Sequence, residues 1–284
     1  MDDRDRIELA AFLRDLTQSL TPVSDTARLD AELLVADAMR VSRSDLLLGR
    51  AGPLDQAAHE LLSATVPRRM AHEPMAYILE QQEFFGLDFA VSPAVLIPRA
   101  DSETIVRAAL DHGPAARRVL DCGTGSGALL LTYLDKVKSA KGVGVDASDE
   151  ALNVAQYNAK RLGLAERAEM VLADWTQDGW ADALGGFDLI LANPPYVEVD
   201  AQLDPGVANW EPADALFAGK EGLDDYRILI PQLPLLLSQN GFAVLEIGAS
   251  QREAVSSICE NAGFSALCEN DLAGRPRALV LRKA

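Results

Sequence analysis

Residues 193–196, Asn-Pro-Pro-Tyr, follow directly on the apolar run FDLIL at 187–191. Two prolines cannot continue a sheet ladder, because neither has an N–H to donate. The same residues do suit one piece of chemistry. A planar nitrogen, in an amide or an exocyclic amino group, is a poor nucleophile because its lone pair is delocalised, yet it offers two N–H donors. Asn193 Oδ1 can accept one and the Pro194 carbonyl the other, so that the nitrogen is aimed at an electrophile. Pro195 biases Pro194 towards an extended conformation, which fixes the direction of that carbonyl. Tyr196 offers a face on which a flat group can stack. Positioning and placed acceptors then supply the catalysis. No strong base is needed, since the N–H becomes acidic once the nitrogen is alkylated.

A second constellation lies upstream. Asp121-Cys122-Gly123-Thr124-Gly125-Ser126-Gly127 falls between a strand pattern and a helix pattern, at the carboxyl edge where doubly wound sheets bind ligands. The glycines let backbone approach a ligand closely. Asp146 closes the next strand, where a carboxylate can take both hydroxyls of a ribose. Asp174 and Trp175 close the third, where a polar group and a ring can bracket an adenine. A nicotinamide dinucleotide is the obvious alternative, but its fingerprint is G-x-G-x-x-G with a helix N-terminus on pyrophosphate. Here the spacing is G-x-G-x-G, and Asp121 would repel pyrophosphate while engaging an ammonium. The pattern therefore favours S-adenosylmethionine, and by itself leaves adenine, guanine and glutamine amide open as acceptors.

These residues need a sheet to hold them. RRVLDCG (117–123), GVGVDAS (142–148), AEMVLAD (168–174), FDLILANPPY (187–196), FAVLEIG (242–248), FSALCEN (264–270) and RALVLRK (277–283) are seven strand candidates. Strands alternating with helices imply an α/β fold with a mostly parallel, doubly wound sheet covered on both faces. The last two candidates have no helix between them and should form an antiparallel hairpin. A helix over 151–162 should end at Gly163. Residues 1–72 instead read as a small all-α domain: Leu9, Phe12, Leu13, Leu16 and Leu20 repeat at helical spacing, Ser24 can cap a second helix, and further helices begin near Ser44 and Pro53. Residues 73–99 read as a connector with a hairpin turning at Gly86, and 100–284 as the ligand-binding domain.

Composition narrows the function classes. The net charge is −17 over 284 residues, of which −14 falls beyond residue 70, so no large nucleic-acid footprint is expected. Cys122, Cys259 and Cys268 are odd in number and lack CxxC spacing, as reduced thiols of a cytoplasmic protein would be. Only three histidines are present, none at ligand spacing, so no metal is expected. Neither a signal peptide nor a membrane span is expected.

With this strand order the chain resembles the class I S-adenosylmethionine-dependent methyltransferases, in which Asn-Pro-Pro-Tyr marks enzymes acting on planar nitrogen. RRMAHEPMAYILEQQEFFGLDFAVSPAVLIPRADSE (68–103), NWEPADALFAGKEGLDDYR (209–227), EIGASQ (246–251) and DLAGRPR (271–277) more closely resemble the protein-(glutamine-N5) methyltransferases of peptide chain release factors. That resemblance implies methylation of the glutamine in the Gly-Gly-Gln loop of class 1 release factors, with S-adenosylhomocysteine as by-product; a monomer is expected. The resemblance puts cofactor contacts on Gly123 to Gly127, Asp146, Trp175 and Asn193, to which the residue pattern itself adds Asp121 and Asp174. It puts the amide-binding segment on Asn193, Pro194, Pro195 and Tyr196; Arg99, weighed by itself, either lines the site or contacts the substrate loop, or forms a salt bridge between domains. A sister activity on a ribosomal protein, a DNA or RNA amino-methyltransferase, and a non-catalytic nucleotide-binding module are the other readings. The family usually has YILG where this chain has Tyr77-Ile78-Leu79-Glu80, and IPRPxTE where it has IPRADSE.

Overall fold

The computed structural model describes residues 3–113 and 116–284. The chain forms two compact units, Met1–Glu80 with Asp204–Trp210, and Gln81–Leu203 with Glu211–Ala284. Residues 73–99, read as a connector, are thus shared: 73–80 pack in the first unit and the hairpin belongs to the second.

The first unit is helical: α1 (Asp3–Leu20), α2 (Ala27–Ala38), α3 (Arg43–Leu47), α4 (Gln56–Met70) and the single turn α5 (Met75–Ile78). Leu9, Leu16 and Leu20 of α1 bury against Ala31, Leu34 and Val35 of α2, as the spacing requires. The caps are shifted from their expected places. Ser24 Oγ accepts the Thr26 N–H at 3.1 Å and shapes the turn before α2 instead of capping it. Ser42, two residues before Ser44, caps α3 through the Asp45 N–H at 3.0 Å, and Asp55 caps α4 through that of Ala58 at 2.8 Å. The remaining segment of this unit carries the turn α9 (Pro205–Ala208).

In the second unit a hairpin, β1 (Gln81–Phe84) and β2 (Leu87–Ala90), precedes α6 (Glu103–His112). Then come β3 (Arg118–Cys122), α7 (Ala128–Lys136), β4 (Lys141–Asp146), α8 (Asp149–Arg161), β5 (Ala168–Leu172) and β6 (Phe187–Ala192). After α10 (Asp224–Leu229) and α11 (Leu233–Leu236), the chain ends with β7 (Leu237–Glu246), α12 (Arg252–Asn261), β8 (Phe264–Asn270) and β9 (Pro276–Lys283). The sheet order is β5-β4-β3-β6-β7-β9-β8; β9 alone runs antiparallel to its neighbours. All seven expected strands are present. The expected helix between β5 and β6 is replaced by turns, from which Trp180, Ala181 and Leu184 pack on the sheet. Strand β7 starts at Leu237, five residues early, across a register shift against β6.

The continuous apolar runs follow from burial on both faces. In β6, Leu189 and Leu191 enter the core under α6 and α7, while Phe187, Ile190 and Ala192 enter the core under α10 to α12. Residues 242–245 of β7 and 278–281 of β9 alternate in the same way. The chain goes outward from β3 through β4 to β5, then returns to β6 on the other side of β3. That reversal opens a crevice at the carboxyl ends of β3 and β6. Asn158 of α8, fully buried, fixes one wall: its side chain bonds the N–H and C=O of Ala90 in β2 (2.8 and 2.9 Å) and the C=O of Ser126 in the glycine loop (2.9 Å).

Glu80, standing where the resembled family has glycine, holds φ +55. A side chain there costs about 1–2 kcal/mol, which glycine avoids at a smaller entropic cost. Glu80→Gly is therefore expected to raise stability by up to about 1 kcal/mol. Urea unfolding of the two proteins side by side checks this, and a lowered midpoint in the variant would refute it.

Candidate active site

The crevice holds a cavity of about 610 Å³, and everything that lines it lies in the second unit. Gly123, Thr124, Gly125 and Ser126 form one side. The loop is tied to the sheet because the N–H groups of Gly123 and Thr124 both donate to Val145 O at 2.9 Å. Gly123, Gly125 and Gly127 hold φ of +72, +54 and +82. A Cβ on Gly123 would come within 3.1 Å of the Trp175 ring, so side chains are excluded where ring and loop meet. Gly127 is the flanking residue before α7 and lies outside the wall.

Asp146 lines the cavity at the end of β4. Its Oδ2 accepts the Gly125 N–H at 2.9 Å and its Oδ1 the Ser148 N–H at 3.0 Å. Burial raises its pKa, and these backbone donors oppose the rise. Asp174 and Trp175 also line the cavity. Asp174 Oδ1 takes the Thr176 hydroxyl at 2.7 Å and the Thr176 N–H at 2.8 Å, and those bonds lower its pKa. The Trp175 indole N–H donates to Asp225 Oδ1 at 3.1 Å, fixing the ring plane.

Asn193 and Pro195 line the cavity. Among the described residues, no hydrogen-bond partner is found for the Asn193 carboxamide, so both of its ends are available to a ligand. Pro194 and Tyr196 are not on the wall. The Tyr196 hydroxyl instead donates to Glu246 Oε1 at 3.1 Å. The free stacking face expected of Tyr196 is replaced by this anchoring, with the ring packed against the core under α10 to α12.

Asp121 also departs from expectation. It is fully buried behind Thr124, whose hydroxyl donates to its Oδ2 at 2.7 Å, and its Oδ1 has no partner. It supports the loop from beneath and gives no surface to the cavity, where a direct ammonium contact was expected. Arg99 does line the cavity, paired with the buried Glu211, which also accepts the Ile97 N–H at 3.1 Å. Both residues lie in the second unit, so the pair holds no domains together. Residues 93–98, Asp214 and Asp225 also stand on the wall. They were missed because they carry no spacing signal; their stretches entered only through the family likeness.

The charge on the wall tests which ligand fits. Asp146, Glu150, Asp174, Asp214 and Asp225 face the cavity against one cation, Arg99, which Glu211 already pairs. Such a wall rejects pyrophosphate and suits a ligand bearing positive charge, as a sulfonium with an ammonium does. Gly123 to Ser126, Asp146, Asp174, Trp175 and Asn193 are the residues that would hold S-adenosylmethionine.

Residues 115–263 match a family model described as a methyltransferase domain, and residues 11–79 one described as the PrmC N-terminal domain. Two solved structures share the fold: a methyltransferase from Pyrococcus furiosus (18% identity, TM-score 0.52, 77% of this chain and 98% of that one) and the hMettl16 catalytic domain (18%, 0.54, 70% and 77%). Fold, glycine loop and family model together define an S-adenosylmethionine-dependent methyltransferase. Proteins named release factor glutamine methyltransferase are 38% identical in Agrobacterium fabrum (89% of this chain, 90% of that one) and 39% in Geobacter sulfurreducens (84% and 84%). Another, from Xylella fastidiosa, is 40% identical (90% and 93%). The chain belongs to this release factor glutamine methyltransferase family.

Burial lifts the Asp121 carboxyl from 3.8 to about 7. Between those values the folded chain keeps a proton that the unfolded chain has released, so stability falls as pH rises across that window. Asp121→Asn is expected to remove up to one proton from that slope. Urea midpoints at pH 5, 6 and 7 measure it, and a slope equal to that of the parent would refute the assignment.

Proposed function

We propose that the protein transfers the methyl group of S-adenosylmethionine to the side-chain amide nitrogen, N5, of the glutamine in the Gly-Gly-Gln motif of class 1 peptide chain release factors. The observation that carries this reading is the unpartnered Asn193 carboxamide, set on the cavity wall beside the glycine loop. The name borne by relatives of about 38–40% identity supports the substrate.

Bound S-adenosylmethionine supplies an electrophilic methyl on a sulfonium. Asn193 Oδ1 accepts one amide hydrogen of the substrate glutamine, and the Pro194 carbonyl, set back from the wall between the wall residues Asn193 and Pro195, accepts the other once the substrate is seated against that segment. With both hydrogens held, the nitrogen can turn only its π face to the methyl. Asp146 would take the ribose hydroxyls, and Asp174 and Trp175 would flank the adenine. The acidic wall favours the cationic cofactor over its neutralised by-product, which helps release. No protein base is required, since the methylated amide sheds its proton to water. Three free thiols fit a cytoplasmic site of action.

Incubation with labelled S-adenosylmethionine and purified release factor, ribosomal protein or DNA tests the substrate. Label is expected on the Gly-Gly-Gln peptide and lost when its glutamine is alanine; label confined to ribosomal protein or nucleic acid overturns the reading. Asn193→Ala is expected to lower kcat at least 100-fold, with cofactor affinity changed only a few-fold. Single-turnover rates with equilibrium cofactor binding measure both, and an unchanged rate removes Asn193 from the chemistry.

A further inference from the structure

Three stretches that carry the family likeness, IPRADSE, EIGASQ and DLAGRPR, also send Asp101, Glu246, Gln251 and Arg277 to a cluster at Tyr196 that is not part of the cavity wall. Their meeting point is Tyr196. Its hydroxyl donates to Glu246 Oε1 at 3.1 Å and accepts from Arg277 Nη1 at 3.4 Å. Its carbonyl accepts from Gln251 Nε2 at 3.1 Å. The residue is therefore held at both ends. Gly222 closes over the same carbonyl at φ +65, and a Cβ there would stand 2.2 Å from the oxygen.

Glu246 ends β7 and Arg277 begins the facing part of β9, where Glu246 pairs with Ala278. Their side chains are 2% and 8% exposed, and the nearest approach between them is 3.9 Å. Arg277 Nη2 also reaches Asp101 Oδ2 at 3.1 Å. Glu246 Oε2 and Arg277 Nε remain buried with no partner. An incompletely paired ion pair in a core is a poor stabiliser, and apolar residues of similar volume often replace one without loss. The strand positions beside it are already apolar: Leu245, Ile247, Ala278 and Leu279 are all buried. Beyond the bonds of Arg277 to Asp101 and to Ile247 O, what the pair does that leucine or methionine cannot is orient the Tyr196 hydroxyl.

We propose that Glu246 and Arg277 are positioning residues that set Tyr196 and, through it, the angle of the Asn193 and Pro194 acceptors. The proposal rests on the reading of Asn193–Tyr196 as the amide-binding segment. Fixing both ends of Tyr196 fixes its backbone. Pro194 and Pro195 have locked φ, so the setting passes back to Asn193 with little freedom to absorb error. A misplacement of about 1 Å at such acceptors is enough to cost about 100-fold in rate.

The test is a double-mutant cycle on methyl transfer, with hydrogen exchange beside it. Tyr196→Phe, Glu246→Gln and Arg277→Met are each expected to lower kcat at least 10-fold, with cofactor affinity within 2-fold. In a Tyr196→Phe background, Glu246→Gln is expected to cost nothing further, because the hydroxyl it orients is gone. Additive losses, or an unchanged kcat, overturn the proposal. In Glu246→Gln the amide of Val197, which donates to Leu216 O at 2.8 Å, is expected to exchange at least 10-fold faster, while those of β3 keep their parent rates. Equal acceleration in both places marks a merely structural pair and also overturns it. If the parent protein places no label on release factor, the proposed function fails, and the exchange comparison still decides the positioning role.

Discussion

A parallel sheet with helices on both faces has no free surface except its ends, and that constraint organises this molecule. Phe187, residues 189–192 and residues 242–245 are committed to two cores at once. Only where strands stop can a polar side chain point somewhere useful. The reversal of strand order at β3 parts the helices there, and Gly123, Asp146, Asp174 and Asn193 each stand just past or at the end of one strand. Four segments distant in sequence so deliver one functional group apiece to a shared hollow.

This arrangement explains what could be read in advance. Burial on both faces writes itself as an unbroken apolar run, so β3, β6, β7 and β9 were visible as strings of Val, Leu and Ile. The turn after β3 needs three residues at positive φ, and three glycines announce it. Asp146, Trp175 and Asn193 were found because each ends an apolar run. The misreadings share a cause. Tyr196 was given a ligand because nothing within NPPY reveals Glu246, fifty residues on. Asp121 was given an ammonium because its burial depends on Thr124 folding over it. Wall residues 93–98 depend on Glu211, which grips Ile97 from 114 residues away. Periodicity reports the face a residue occupies, and such partners lie outside its reach.

Charge tells a similar story at larger scale. The net charge of −17 argued against nucleic acid, yet it did not say where the acids stand. Five of them face the cavity, where they select the sign of the ligand. In the first unit the acids serve packing: buried Asp30 meets Arg69 at 2.7 Å, and buried Glu32 meets Arg43 at 2.7 Å and Arg28 at 2.9 Å. The same residue types do different work because one set has cationic neighbours within reach and the other has a hollow in front of it.

Asn158 carries a consequence of its own. One carboxamide serves as a cross-tie between the edge hairpin and the loop after β3, using three of its hydrogen-bonding positions. The two segments therefore share a single latch. A ligand that quiets the loop must also quiet the hairpin, whose Phe84 stands on the same cavity wall. Drift in either segment's backbone is likewise constrained by the other, so they are bound to vary in concert.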